Sequence, residues 1–467
     1  MKQMRKNSLD MVSGSMWDKI LLFALPLAAG SMLQQLFNSV DAAVVGRFAS
    51  SEALAAVGAN TSVVSLLINL FVGISVGSNV VIANNIGKGK RERIPDVAHT
   101  TMLLAISSGL LLMLGGIAIA RPLLRLLSTP ENVMDLAVVY LRLYCLGMPF
   151  IMTYNFAAAI LRSKGDTKRP LYCLIVSGCI NAGLNLIFVI GFHLSVVGVA
   201  LATVLANIVS CSMIVFFLMH EEEEIRLHWN KLAIHKEELW TILRIGVPAG
   251  VQGVVFSFSN VCIQAAINTF GSAAMAGSAI SMNFEYITCF AFMGFNSAAV
   301  TFTSQNYGAG KAARCKRVCR ICMLCGVCVC LALDVFFYLG RGLWIGLFTT
   351  DAAAAACAAQ RMQIVLLFQC LACSYEISGS ALRGYGYSLV PALLTVFGTC
   401  IFRVIWVNTA VPVHHSLPVL FSIYPISWIV TGIMVLTAYF FVSRKVLHKL
   451  PQAQPAKNHC NQERKEL

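Results

Sequence analysis

ANNIGKGKRER at 83–93 and SQNYGAGKAAR at 304–314 are two copies of one pattern. Asn85 aligns with Asn306, Gly87 with Gly308, Gly89 with Gly310 and Lys90 with Lys311, all at an offset of 221. The register extends outward in both directions. Upstream, Phe71 and Gly73 fall on Phe292 and Gly294; downstream, Leu161, Arg162, Gly165 and Pro170 fall on Leu382, Arg383, Gly386 and Pro391. One further step places Pro26 on Pro248, each followed closely by glycine. A register held over this distance marks an internal duplication.

The surroundings of the repeat fix the class. Of 467 residues, 58% are hydrophobic and 12% charged, with a mean hydropathy of +0.74. Soluble domains carry about 25% charged residues, so a soluble enzyme, a secreted disulfide scaffold and a disordered chain are all excluded. Twelve apolar segments can be read, over 17–46, 54–84, 97–120, 134–161, 170–191, 195–219, 240–268, 273–305, 315–340, 356–382, 391–411 and 418–443. Each is long enough for the roughly 20 apolar residues that a membrane helix needs. The long polar stretch 220–239, opened by Glu221 to Glu224, separates two sets of six. The four glutamates read as a solvated helix end.

The expected architecture is all-α and integral to the membrane. An N-terminal lobe (1–219), a cytoplasmic linker (220–239), a C-terminal lobe (240–443) and a polar tail (444–467) follow in order. Six spans is an even number, so both halves enter the bilayer in the same direction as parallel repeats, with a cleft between them. Lys plus Arg is 35 against 21 Asp plus Glu, a net charge of +14. The excess collects in alternate loops (Lys88, Lys90, Arg91, Arg93; Arg162, Lys164, Lys168, Arg169; Lys311, Arg314, Lys316, Arg317), while opposite loops hold little beyond Arg47, Arg121, Arg125, Arg341 and Arg361. The positive-inside rule then puts both termini and the linker in the cytoplasm and accounts for the charge without nucleic acid. No cleavable leader is evident. The basic start (Lys2, Arg5, Lys6) leads into an apolar run too long for a signal-peptide core.

Most of the 17 cysteines lie in apolar stretches and read as small packing residues. Cys319, Cys322, Cys325 and Cys328 recur every third residue, which on a helix fans them over half the circumference, so they cannot converge on a metal. The glycine-lysine loops at 87–90 and 308–311 lack phosphate-loop spacing and read as short connections.

At these residues the sequence resembles the MATE family of multidrug and toxic compound extrusion transporters, and its DinF-like bacterial branch in particular. FNSVDAAVVGRF (37–48), ANNIGKGK with its copy SQNYGAGK, and LRSKGDTKRP (161–170) with its copy LRGYGYSLVP (382–391) carry the resemblance, which spans about 15–445. It implies a two-lobed antiporter of the bacterial inner membrane. Such a protein exports organic, often cationic, compounds against an inward H⁺ or Na⁺ gradient by alternating access. It needs no cofactor, and a monomer suffices. Two other readings stand beside it: a flippase for a lipid-linked precursor, which would need a strongly cationic cavity, and an exporter dedicated to one metabolite. A membrane enzyme finds no metal triad, nucleophile motif or phosphate loop in the chain.

An ionisable group at mid-bilayer costs about 2.5–3.5 kcal/mol on insertion scales, so each one needs a partner, a wet cavity or a function. Gln34, Asn38 and Asp41 follow one another at i, i+4 and i+7 on one face of the first span. Asn181 and Asn185 are an i, i+4 pair in the fifth; with Asn155 and Thr203 they complete a possible oxygen-rich pocket suited to Na⁺, or to a proton on Asp41 alone. The resemblance implies that Asp41, Asn155, Asn181 and Thr203 belong to the N-lobe cation site. Asn185 departs from it, standing where many relatives carry a second aspartate.

In the second half Glu285 matches the acidic position of the DinF-like branch. Glu376 is the repeat counterpart of Asn155. Either carboxylate attracts a cationic substrate, carries protons, or closes an internal salt bridge with Arg403. Asp334 reads as reaching the outer interface. Asn260, Gln264 and Asn268 form a polar stripe facing the cleft, and Pro26 and Pro248 are candidate hinges.

Overall fold

The computed structural model describes residues 9–126, 129–221 and 224–449, and all of its long elements are helices. Among the described residues eleven helices are long and apolar enough to cross a membrane, and a bent pair, taken as one span, makes the twelfth. They are α1 (Trp17–Phe48), α2 (Ser51–Lys88), α3 (Ile94–Leu126), α4 (Glu131–Leu146 with Met148–Ser163), α5 (Lys168–Gly191) and α6 (Ser195–Met219). The second set is α7 (Lys236–Asn268), α8 (Ser272–Gly308), α9 (Ala312–Leu339), α10 (Ala352–Gly384), α11 (Leu389–His414) and α12 (Leu417–His448). Most are longer at their ends than the apolar runs, because polar and basic residues continue the helix beyond the hydrocarbon.

The repeat has a backbone cause. Gly89 and Gly310 end α2 and α8 at φ of 69° and 72°, and Gly165 and Gly386 follow α4 and α10 at 97° and 87°. A side chain disfavours this left-handed region, so glycine recurs wherever the two halves make the same turn. The fourth span of each half is broken at the matching place. α4 bends by 47° between Leu146 and Met148, and α10 tightens into a 3₁₀ turn over Leu366–Leu371.

The lobes meet through α1, α2, α7 and α8, with α2 laid along α7 and α1 along α8. Repeated glycines make that contact possible. A Cβ on Gly73 would lie 2.2 Å from the Gly250 backbone nitrogen, and one on its counterpart Gly294 would lie 2.3 Å from the Ala24 carbonyl oxygen. At the ends of the same helices, a Cβ on Gly87 would sit 2.0 Å from the Gln305 carbonyl and one on Gly308 2.3 Å from that of Asn84. The hinge candidates Pro26 and Pro248 lie beside these close contacts, inside continuous helices.

Hydrogen bonds lock the same face. Thr301 Oγ1 donates to Asn79 Oδ1 at 3.0 Å, Ser304 Oγ to the Val80 carbonyl at 2.7 Å, and Gln305 Nε2 to the Ser163 carbonyl at 2.7 Å. The segment before α1 adds a strap. Its Met11 and Val12 carbonyls accept from Asn306 and Lys311, while Leu9 lies against Gly165 of the other lobe. The lobes are thus closed on the face bearing the basic loops. Toward the opposite face Gln34 and Asn38 of α1 and Asn260 of α7 are exposed.

This closed face gives a first prediction. Gly73→Val forces backbone against backbone, and overpacking of this kind costs about 1–3 kcal/mol. The lobes should separate on the basic-loop face, lengthening spin-label distances measured across it. Unchanged distances in a folded variant would mean that the contact is not what holds the lobes shut.

The segment after α6 is not a free polar connection. Ile225 and Leu227 are buried, and the His228 backbone N–H donates to His99 Nε2 at 3.2 Å. Glu221 pairs with Lys164 and Arg169, and Glu224 with Arg91 at 2.9 Å. The reading of Glu221–Glu224 as a solvated end is corrected for these two residues, because basic loops of the same lobe neutralise them; Glu222 and Glu223 lie outside the described residues. Most of the polar tail, from 450 onward, also lies outside them.

Candidate functional site

Within the N-terminal lobe, α1 and α5 bring Asp41 and Asn185 into direct hydrogen bonding, with the Asn185 amide nitrogen donating to Asp41 Oδ1. The amide nitrogen of Asn185 also lies 3.3 Å from Asn181 Oδ1, one helical turn away. Asn181 Nδ2 in turn donates to Thr203 Oγ1 of α6 at 3.4 Å, and the Thr203 hydroxyl donates to the Val199 carbonyl at 2.9 Å. Four of the five expected residues therefore form one chain. Asn155 does not join it: its amide bonds the Ile151 carbonyl of its own helix at 2.8 Å.

Two features of this chain matter chemically. Asp41 has no cationic partner among the described residues; an amide N–H is what faces it. Asn185 Oδ1 is buried without a hydrogen-bond donor. Immediately after Asn185 the helix widens into a π turn over Leu186–Gly191, a distortion frequent at functional sites. Gln34 and Asn38, on the Asp41 face of α1, are exposed at the cleft side and make no part of the chain.

The C-terminal lobe is organised around arginines. Arg361 of α10, 1% exposed, grips Glu285 of α8 with two bonds, Nε to Oε1 at 2.7 Å and Nη2 to Oε2 at 2.8 Å. Ser281 donates to the same Oε1 at 2.8 Å. The guanidinium lies over the rings of Tyr424 at 5.1 Å and Phe421 at 5.4 Å. Arg361 is therefore a buried member of the tenth span, not a residue of an outer loop, and it is the partner that Glu285 was expected to find in Arg403.

Glu376 takes a different partner again. Asn296 Nδ2 donates to its Oε2 at 3.1 Å; Ser380 donates to Asn296, Arg383 Nη1 to Ser380 at 3.2 Å, and Arg383 Nη2 to Gln252 Oε1 at 2.6 Å. This polar line runs from the lobe interior to α7. Arg403 meets neither carboxylate. It donates to Ser427 at 3.0 Å and lies over Tyr424 at 4.6 Å and Phe256 at 5.8 Å, so the expected salt bridge is not formed. Asp334 is fully buried and accepts from the Cys330 thiol at 3.4 Å, which corrects its placement at the interface.

Of the seventh-span stripe, Gln264 donates to Asn268 at 2.9 Å and Asn260 is exposed, while Ser257 receives Asn69 of α2 at 2.9 Å. Sequence reasoning missed Asn69, Asn79, Thr301 and Gln305 as lobe-to-lobe groups. Their signal was available as polar residues on the glycine-bearing faces of α2 and α8. The cysteine series behaves as side chains spread around a helix, with Cys319 and Cys322 buried and Cys328 exposed.

Twelve apolar spans, halved by a repeat and joined across glycine-lined helices, define a two-lobed, multi-pass membrane protein of the transporter type. The chain belongs to the MatE family, whose profile matches it twice, over 26–187 and 248–407. It is 28% identical to the "Probable multidrug resistance protein YoeA" of Bacillus subtilis, over 92% of this chain and 95% of that one. It is 25% identical to the "Probable multidrug resistance protein NorM" of Thermotoga maritima, over 81% and 82%. Its fold superimposes with a TM-score of 0.87, at 22% identity, on a structure described as the "outward-facing conformation of a multidrug resistance MATE family transporter of the MOP superfamily", covering 93% of this chain and 98% of that one.

Proposed function

We propose that the protein is a secondary multidrug exporter that expels organic, often cationic, compounds in exchange for cations. Asp41 carries the coupling ion. The observation that supports this most directly is the contrast between the lobes: Glu285 is held by a bidentate arginine and Glu376 is tied through Asn296 and Ser380 to Arg383, whereas Asp41 has only an amide. A group already held in an ion pair is poorly placed to gain and lose charge in every cycle, and Asp41 is free to do so. The direct Asn185 contact favours the proton. Turned over, the Asn185 amide presents its donorless Oδ1 to a protonated Asp41, so this one pair can hold the carboxyl group in either charge state.

On this reading the lobes 1–219 and 240–443 rock about the glycine contacts, with Pro26 and Pro248 as hinges, and the interlobe bonds on the basic-loop face break in the alternate state. That face is cytoplasmic by the positive-inside rule, and a form closed on it is the outward-facing arrangement of the cycle. The bacterial inner membrane is the setting, and the acidic Glu285 supports membership of the DinF-like branch. The exposed amides Gln34, Asn38 and Asn260, with the half-buried Gln264, give substrate a polar but uncharged wall. With no ring of cations there among the described residues, the cleft suits neutral or cationic cargo better than a pyrophosphate-linked lipid.

The test is efflux of ethidium from proteoliposomes under separately imposed proton and Na⁺ gradients. Efflux driven by the proton gradient alone is expected. Efflux under Na⁺ alone would reassign the ion. Folded protein that moves ethidium under neither gradient would overturn the multidrug reading in favour of a dedicated metabolite exporter or a flippase.

A further inference from the structure

A groove of about 700 Å³ runs down the C-terminal lobe between α9 and α12, away from the cleft and from every residue of the proposed coupling site. Its α9 wall carries Lys316, Arg320, Met323, Leu324 and Val327, spaced as one stripe of a helix. The opposing wall of α12 supplies Arg444 and, deeper, Leu436. α9 begins and α12 ends on the basic-loop face, so the three cations gather at that end and the groove beneath them is apolar.

The dimensions match half of a bilayer. Lys316 to Val327 is eleven residues, about 16 Å at 1.5 Å per residue, and one leaflet of a roughly 30 Å hydrocarbon core is about 15 Å deep. Lys316, Arg320 and Arg444 are exposed and form no salt bridge among the described residues, in contrast to Arg91, Arg93, Lys164 and Arg169, which pair with glutamate. Three uncompensated cations above an apolar slot of one-leaflet depth are complementary to an anionic headgroup with an acyl chain below it.

We propose that this groove is a binding site for one anionic phospholipid of the basic-side leaflet. Its phosphate is held by Lys316, Arg320 and Arg444, and an acyl chain lies along Met323, Val327 and Leu436. The site is independent of the transport cycle proposed above and stands whether or not that reading holds.

The experiment titrates phosphatidylglycerol and phosphatidylcholine onto the purified full chain and counts bound lipid by native mass spectrometry, with thermal unfolding as a second readout. Wild type should retain phosphatidylglycerol in preference to phosphatidylcholine. Lys316→Gln/Arg320→Gln/Arg444→Gln should weaken that retention on the order of a hundredfold, since each basic residue near a membrane surface contributes about 1 kcal/mol toward anionic lipid. All three side chains are exposed and unpaired, so the variant should fold, and its own melting curve checks this. A matched control, Lys90→Gln/Arg91→Gln/Arg93→Gln, removes as much charge from the same face elsewhere and should leave retention unchanged. Equal loss in the control would reduce the effect to general surface charge and overturn the site. So would equal retention of the two lipids by wild type, or full protection by inorganic phosphate alone.

Discussion

Asp41→Asn should abolish gradient-driven efflux while leaving the protein folded and able to bind substrate. The substitution keeps the size of the side chain and its contact with Asn185, and it removes only the capacity to take up and release charge. Coupling is a difference in ion affinity between two lobe arrangements. To drive the population from 1:99 to 99:1, a coupling ion must favour one arrangement by about 10⁴-fold, roughly 5.5 kcal/mol. A side chain that neither titrates nor carries charge supplies little of that. Uphill ethidium efflux in proteoliposomes should fall to the leak rate, and ethidium binding in detergent should change by less than tenfold. Asn185→Ala, which removes the N–H from a carboxylate, should weaken coupling without eliminating it, since hydrogen bonds to charged groups contribute about 1.5–3 kcal/mol. Full uphill efflux by Asp41→Asn would move the coupling site out of the N-terminal lobe.

The parts of this arrangement that could be read from the sequence were those written in backbone constraint or in helical spacing. Gly89 with Gly310 and Gly165 with Gly386 are legible because a left-handed turn tolerates little else, and they reveal the duplication without any structure. Asn181 and Asn185 are legible because i and i+4 share a face. Asp41 stood out by its cost in lipid. Arg361 was opaque for the opposite reason. It follows the alanine-rich run 352–356, which reads as the approach to a span, and its partner Glu285 is 76 residues away, so no local pattern joins them. Asn155 shows the limit of a symmetrical argument. Its repeat counterpart Glu376 enters a polar network, but Asn155 turns back onto its own helix. Three arginines inside one lobe also change its charge. Arg361 and Arg383 offset Glu285 and Glu376, so the lobe interior is not the acidic surface that counting carboxylates suggests.

Arg361→Leu should be the most destabilising single change in the C-terminal lobe. It removes both charged bonds to Glu285 and leaves that carboxylate buried, with Ser281 as its one remaining side-chain donor among the described residues. Deleting one partner of a buried pair typically costs 3–5 kcal/mol, roughly, because the orphaned charge loses its compensation. It also strips the guanidinium from the faces of Tyr424 and Phe421. Thermal unfolding in detergent should show a large drop, and the yield of folded protein should fall with it. Replacing both partners, Glu285→Met with Arg361→Leu, removes the buried charge altogether, and apolar replacement of a buried pair is often neutral or stabilising. The double variant should therefore recover most of the lost stability. It also separates structure from coupling. If Glu285 serves to hold α8 to α10, the recovered protein should retain proton-driven ethidium efflux. A folded double variant that binds ethidium but cannot pump it would show instead that the Glu285–Arg361 pair opens and closes during the cycle, and that coupling is shared between the lobes.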